Sequence, residues 1–251
     1  ECIPNIPISY QLSEAVYNVF KKGLYLKDYG NARQGLGTSD NIKFLRMWSE
    51  VCWDNIGFEL KCCEDTLQRK ERWYPYIKGG SFRRWYPNKE YIVNYQNNGI
   101  EIKNAVMAKY SYLNNPDFVV KNTSTYFRAG ITWSDVATGK FSARWVEEGY
   151  IYADAGPMFF VKSDYKLKLC YMNSVVFQLF GDLICQGIHY STGQIPQIPY
   201  QEDYDIEIKK YIENISDNSI KISELDWNMF ETSWDFTRHP LVQGTIIDGL
   251  I

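Results

Sequence analysis

The sequence predicts an α+β fold: a curved, mixed or antiparallel, β-rich domain with flanking helices and an acidic helical segment at the C-terminal end. Two observations carry the strands. Twenty Tyr, thirteen Phe and eight Trp among 251 residues are an aromatic load that suits pleated, half-buried surfaces. Short apolar runs separated by Gly, Asn, Asp and Pro fill the middle of the chain, as short strands do. A third observation carries the helices: a few stretches repeat their apolar residues at helical spacing instead.

The elements follow in order. In "SYQLSEAVYNVFKKGL", Leu12, Ala15, Val16, Val19 and Phe20 share one helical face. Lys21-Lys22 and Gly23 close a helix of about 13 residues. "ARQGLGTSDNIKFLRMW" is broken by Gly35 and Gly37, and Ser39, Asp40 or Asn41 can cap a turn before the apolar run. "WSEVCW", "YIVNY", "STYFRAGITWS", "KFSARWV", "GYIYAD" and "PMFFV" read as strands, and "GIEIKNAVMAKY" as a short helix. Leu169, Met172, Val176, Leu179 and Leu183 share a helical face, so one helix is expected from about Lys166 to Leu183. "STGQIPQIPY" is an extended segment, and "EDYDIEIKKYIENIS" a polar helix before "ELDWNMFETSWDFTRHPL". The expected division is a lead-in helix segment (1–30), a central domain (31–200) and an acidic helical segment (201–251). Both ends read as cuts in a longer polypeptide.

Charge is segregated although the total is only −3. From Thr66 to Lys89, seven Lys and Arg oppose Glu71, a net of +6; from Gln201 to Asp235, ten acids oppose three Lys, a net of −7. A nearly neutral chain can therefore carry a basic face. No stretch approaches the ~18–20 apolar residues of a membrane span. Six Cys with no C-x-x-C pair read as reduced thiols of a cytoplasmic protein.

Catalytic patterns are missing. Neither His189 nor His239 lies near a nucleophile elbow, G-x-S-x-G is absent, and "QGLGTSDN" lacks the G-K-[ST] of a P-loop. His189 in "GIHYSTG" reads as a loop or packing histidine. No catalytic residue, metal ligand or cofactor site is expected in this stretch.

Binding chemistry is better supplied. "KERWYPYIKGGSFRRWYPNKEYIVNY" reads as an aromatic hairpin with a Gly-Gly turn. Gly79 and Gly80 let backbone amides approach a phosphate. Arg83 and Arg84 can fork onto phosphate or a guanine edge, with Lys78 and Lys89 adding sequence-independent attraction. The bland alternative is a core hairpin with solvated charges. A second polar set comprises Arg128, Thr132, Ser134, Lys140, Ser142 and Arg144. If 139–145 is a strand, Lys140, Ser142 and Arg144 share one face opposite Phe141, Ala143 and Trp145.

"RQGLGTSDNIKFLRMWSEV", "RWYPYIKGGSFRRWYPNKEYIVNYQNNGIEIKN", "YFRAGITWSDVATGKFSARW" and "DWNMFETSWDFTRHPL" resemble, in order, the C-terminal half of PglX-type adenine-specific DNA methyltransferases of BREX phage-defence systems. These are relatives of fused restriction–modification enzymes. The resemblance implies that 31–200 is a DNA target recognition domain, which binds duplex DNA, reads its sequence and presents adenine to a catalytic half. The family's N-P-P-Y motif is absent, the nearest string being "NNPDF" at 114–118. S-adenosylmethionine is accordingly expected for the parent and not for this stretch. Implied partners are double-stranded DNA, the parent's own methyltransferase domain and other defence-system subunits. Base-reading positions vary with the target and are not carried over. Two rival readings remain: a protein-interaction module built on the acidic segment, and a carbohydrate-binding module using exposed Trp and Tyr.

Overall fold

The computed structural model describes residues 13–185 and 187–243. In chain order it contains α1 (Glu14–Lys21), β1 (Gly30–Arg33), α2 (Asn41–Phe44), β2 (Leu45–Met47), β3 (Trp73–Ile77), β4 (Tyr91–Asn94), α3 (Gln96–Lys109) and β5 (Gly130–Thr132). Then follow β6 (Arg144–Val146), β7 (Ile151–Tyr152), β8 (Met158–Val161), α4 (Tyr165–Met172), α5 (Val175–Cys185), α6 (Ile206–Asn228) and α7 (Pro240–Gln243). The fold is α+β, as the sequence predicts, with the strands divided between two four-stranded sheets. One is antiparallel, ordered β1-β8-β5-β6; the other is mixed, ordered β2-β4-β3-β7, with β3 and β7 parallel.

Strand periodicity explains how the sheets stack. Ala32, Phe159 and Ile131 are register neighbours across β1, β8 and β5, and all three enter one core under α4 and α5. Met158 and Phe160, on the opposite face of β8, enter the other core with Tyr74, Tyr76 and Val93 of the mixed sheet. The antiparallel sheet is therefore covered on both sides. Its strands are short, and aromatic side chains fill the layers, including fully buried Trp133, Tyr95 and Tyr126.

Several elements differ from the sequence reading. The stretch 166–183 is two helices. Asn173, at the break, accepts from the Ala143 amide at 3.0 Å and donates to the Ala143 carbonyl at 3.0 Å. From the break between the two helices it thus holds both backbone groups of the residue ahead of β6. The break also turns the second helix: Phe177, Phe180 and Ile184 are buried while Val176 and Leu179 are about half exposed. "WSEVCW" forms two 3-10 turns, Trp48–Glu50 and Trp53–Asn55. Strand "STYFRAGITWS" shrinks to β5, and the 3-10 turn Ile195–Gln197 interrupts the expected extended segment. The polar helix is longer than expected, running 23 residues through Asn228.

The first helix is shorter than the expected length of about 13 residues, eight from Glu14 to Lys21, with Ser13 as its cap. Other readings hold: Asp40 accepts from the Lys43 amide at the start of α2, and Gly23 takes the left-handed conformation after α1. Leu12 and Cys2 lie outside the described residues; the five described Cys are free. No described helix is long and apolar enough to cross a membrane.

Candidate nucleic-acid interface

The 70–95 stretch does form an antiparallel pair, β3 with β4, in register from Trp73–Asn94 to Tyr76–Tyr91. Its first Trp-Tyr-Pro triplet is in β3. Its second lies in the long connection, where the Trp85 amide donates to the Ala143 carbonyl and the Trp145 amide to the Trp85 carbonyl, both at 2.9 Å. The connection is thereby strapped to β6 of the other sheet.

Four loops converge where these sheets meet. The Leu36 amide donates to the Tyr152 carbonyl at 2.8 Å, and the Ala153 amide to the Ile77 carbonyl at 2.8 Å. Asp135 N–H reaches the Ala155 carbonyl at 3.0 Å, and the Ser134 hydroxyl the Gly80 carbonyl at 3.1 Å. Segments 34–40, 78–84, 133–143 and 153–157 are thus one continuous rim. Gly79 and Gly80 both have left-handed φ, +94° and +106°, which other residues rarely adopt. Gly156 packs directly on this turn, since a Cβ there would lie 2.7 Å from the Gly79 nitrogen.

The candidate basic residues divide into four groups. Lys78, Arg84 and Lys140 surround the rim, and none pairs with a carboxylate among the described residues. Lys78 lies over the Tyr91 ring and Arg84 over the Phe82 ring. Arg83 is engaged elsewhere: it pairs with Asp226 of α6 at 2.6 Å and stacks over Trp227.

Lys89 and Arg144 are interior. Lys89 is 4% exposed, bonds to Glu147 and sits over the Tyr86 and Tyr150 rings. Arg144 is fully buried. Its Nε donates to the Arg83 carbonyl at 2.8 Å, and its Nη2 reaches the Ser81 carbonyl, Ser134 and Ser142 at 3.1 to 3.3 Å. Burial lowers this guanidinium to about 10, with Arg83 nearby adding to the effect. Ser142 is buried as well. The exposed strand face expected to carry Lys140, Ser142 and Arg144 is not formed, because β6 begins only at Arg144 and both of its sides meet protein. Of that set Lys140 alone is exposed. Arg128 is exposed over Phe160, before β5, at the end of that strand away from the 133–143 loop.

Phe82 and Thr138, on the rim beside these residues, carry no motif that marks them in sequence; both are exposed. The partnership of Arg83 with Asp226 joins positions 143 residues apart, so nothing local announces it. His189 Nδ1 lies 3.7 Å from Asp135, whose carboxyl is raised by burial and lowered less by that histidine. Among the described residues no cluster of three or more His, Cys, Asp or Glu is placed to hold a metal ion.

No family profile matches the chain. It is 31% identical over 245 residues to the adenine-specific methyltransferase PglX of Lacticaseibacillus casei (strain Zhang), covering 96% of this chain and 20% of that protein. It is 33% identical over 248 residues to the adenine-specific methyltransferase BrxX of Escherichia coli O9:H4 (strain HS), covering 96% of this chain and 18% of that protein. Its fold is similar to part of the Type IIL restriction-modification enzyme MmeI, solved in complex with DNA, with a TM-score of 0.53, 12% identity, 85% of this chain covered and 30% of that one. The chain is thus similar along nearly its whole length to a segment that makes up about a fifth of the PglX and BrxX adenine-specific methyltransferases.

Proposed function

We propose that this chain is the duplex-DNA recognition region of an adenine-N6 DNA methyltransferase acting in phage defence or restriction–modification. In this reading 31–200 is the recognition domain, 201–251 is an acidic segment whose helix α6 packs on it, and a methyltransferase domain binds S-adenosylmethionine and carries out the transfer step inside the cell. The observation that carries the reading is the rim of loops with Lys78, Arg84 and Lys140 unpaired around the Gly79–Gly80 turn. Cations without carboxylate partners at the converging ends of two sheets are what a phosphate backbone needs. Arg83 joins them if Asp226 releases it; Lys89, Ser142 and Arg144 support the surface from behind; Arg128 lies outside this cluster.

Fluorescence anisotropy with labelled duplex, at rising salt, tests this. Binding should weaken steeply, because each neutralised phosphate releases counterion. Absence of binding at low salt, even with the methyltransferase domain rejoined, removes the proposal.

A second reading, a protein-docking role for the acidic segment, is favoured by one observation. Ile208, Tyr211, Ile215, Ile222 and Leu225 lie along the outer side of α6 and are 40 to 68% exposed, at the alternating three- and four-residue steps of a helix–helix seam. The occupant in this reading is the remainder of a longer polypeptide. Titrating that remainder, as a separate protein, onto this chain tests it.

A further inference from the structure

Beside the Gly79–Gly80 turn lies a cavity of about 440 Å³. Gly80, Ser81 and Phe82 form one wall, the 136–140 turn another, and Ser142 and Arg144 the inner end. Three features give it a chemical sign. First, Arg144 Nη1 is buried and has no hydrogen-bond partner, although Nε and Nη2 of the same group are fully used. A shielded guanidinium donor left unpaired is costly, and water does not reach it. Second, none of the backbone amides from Gly79 to Arg84 donates to an acceptor among the described residues. Successive free amides at left-handed glycines form an anion-binding concavity. Third, the lining holds no Asp or Glu, while Lys140 stands exposed beside the hydroxyls of Ser134 and Thr138.

We propose that this cavity binds a single phosphate group, held by Arg144 Nη1 and the amides of Gly80 to Phe82 and closed by Lys140. Resting on the DNA reading above, the phosphate is one phosphodiester of the duplex backbone. Because Nη1 is shielded in this structure, seating the phosphate on it requires the cavity lining to rearrange. The exposed Phe82 ring lies at the mouth, where the adjoining sugar would contact it. Arg144 then has two tasks: it ties the 81–84 turn to β6, and it presents its remaining donor to the ligand.

The experiment uses the full chain, its Lys140→Ala variant and its Arg144→Lys variant, each checked by melting. Inorganic phosphate is titrated while the amide resonances of residues 79–84 are followed by NMR. In parallel, duplexes carrying one neutral methylphosphonate, moved along each strand, are tested for binding. Phosphate should shift the 79–84 amides of the wild-type chain, and Lys140→Ala should weaken that response about tenfold, the effect of one charge-assisted contact. One methylphosphonate position should cost the wild-type chain about tenfold and Lys140→Ala much less. Arg144→Lys, if it melts as a folded protein, should show the same loss of coupling. Steep salt-dependent duplex binding with silent amides and no coupled position overturns the cavity proposal alone. Phosphate binding in the cavity without any duplex binding overturns the DNA reading and leaves a site for free phosphate. Coupling to a guanine lacking N7, with none to any methylphosphonate, overturns phosphate in favour of a base edge.

Discussion

Arg83 and Asp226 meet across 143 residues of sequence, with Nη1 at 2.9 Å and Nη2 at 2.6 Å from the same carboxylate oxygen. The Trp227 ring lies under the guanidinium, and the Arg83 carbonyl in turn receives Arg144 Nε. The end of α6 is thereby latched onto the basic turn. A phosphate that takes Arg83 must displace this carboxylate.

Asp226→Asn should therefore raise duplex affinity. Asp226 is 58% exposed, and an ion pair of that kind is worth about 0–1 kcal/mol. The expected gain is a few-fold, up to roughly fivefold, with little change in melting temperature. Equal or weaker binding by the variant would show that Arg83 does not reach DNA.

Cations at the rim and cations in the interior should separate experimentally. Lys78→Ala and Arg84→Ala should each lower duplex affinity and reduce the slope of log affinity against log salt by about 0.9. Lys89→Ala should leave that slope unchanged. It removes the partner of Glu147 and the contacts with Tyr86 and Tyr150, so stability should fall by about 1–2 kcal/mol, modest because Glu147 is half exposed. A slope change in Lys89→Ala would move this lysine to the surface that meets DNA.

Asn173 offers a test of the link between α4 and the sheet. Its side chain satisfies both backbone groups of Ala143 and adds a donation to the Leu169 carbonyl at 3.2 Å. Asn173→Ala leaves the buried Ala143 amide unpaired, at a cost of about 1–3 kcal/mol, while the Ala143 carbonyl keeps its bond from the Trp85 amide. Chemical denaturation should show a loss of about 1–3 kcal/mol. A loss under about 1 kcal/mol would mean that water or a backbone shift replaces the amide.

The same residue shows where sequence reasoning reaches its limit. The periodicity of 166–183 is real for Leu169 and Met172, which are buried, but period alone cannot register that Asn173 is required by Ala143, 30 residues earlier. Short-range signals were legible: the cap at Asp40, the terminator at Gly23, the helix "GIEIKNAVMAKY" within α3, and the β3–β4 pair. Each depends on residues a few positions apart or on the turn between two runs. The site was half legible. Local charge and glycine chemistry single out Lys78, Gly79, Gly80 and Arg84, which the fold brings together along one rim of loops. The inward turn of Arg144 and Lys89 depends on tertiary partners, and strand alternation cannot tell a face meeting water from one meeting a second layer.

Alkaline pH should unfold the chain because its phenols are buried. Burial raises Tyr74 and Tyr152 to about 12, and raises Tyr76, Tyr95, Tyr126 and Tyr150 as well. In the unfolded chain each titrates near 10. The folded pKa values lie above the unfolded ones, so their contribution is intact below about pH 10 and is lost as pH rises toward the folded values. Arg144 acts in the opposite sense, since its folded value of about 10 lies below the unfolded one, but it is one group against six. Melting temperature should be nearly level just below pH 10 and fall steeply above it, with tyrosinate absorbance appearing together with unfolding. Tyrosinate forming fully before any loss of structure would contradict the buried network.

The outer side of α6 gives the last prediction. Ile215 and Ile222 are 40% and 59% exposed, so replacing them with Glu removes little from this chain's core. Melting should change by less than about 0.5 kcal/mol, as for surface substitutions generally, and duplex binding by the isolated chain should be unaffected, because the rim and this stripe share no residues. If the stripe packs on the remainder of a longer polypeptide, the paired change Ile215→Glu and Ile222→Glu places two charges in an apolar seam. Association with that separately prepared remainder should then weaken at least tenfold, since an unpaired buried carboxylate costs more than the 1.4 kcal/mol that a factor of ten represents. Unchanged association in the double variant would remove the docking role from this face of the helix while leaving the proposal for the basic rim untouched.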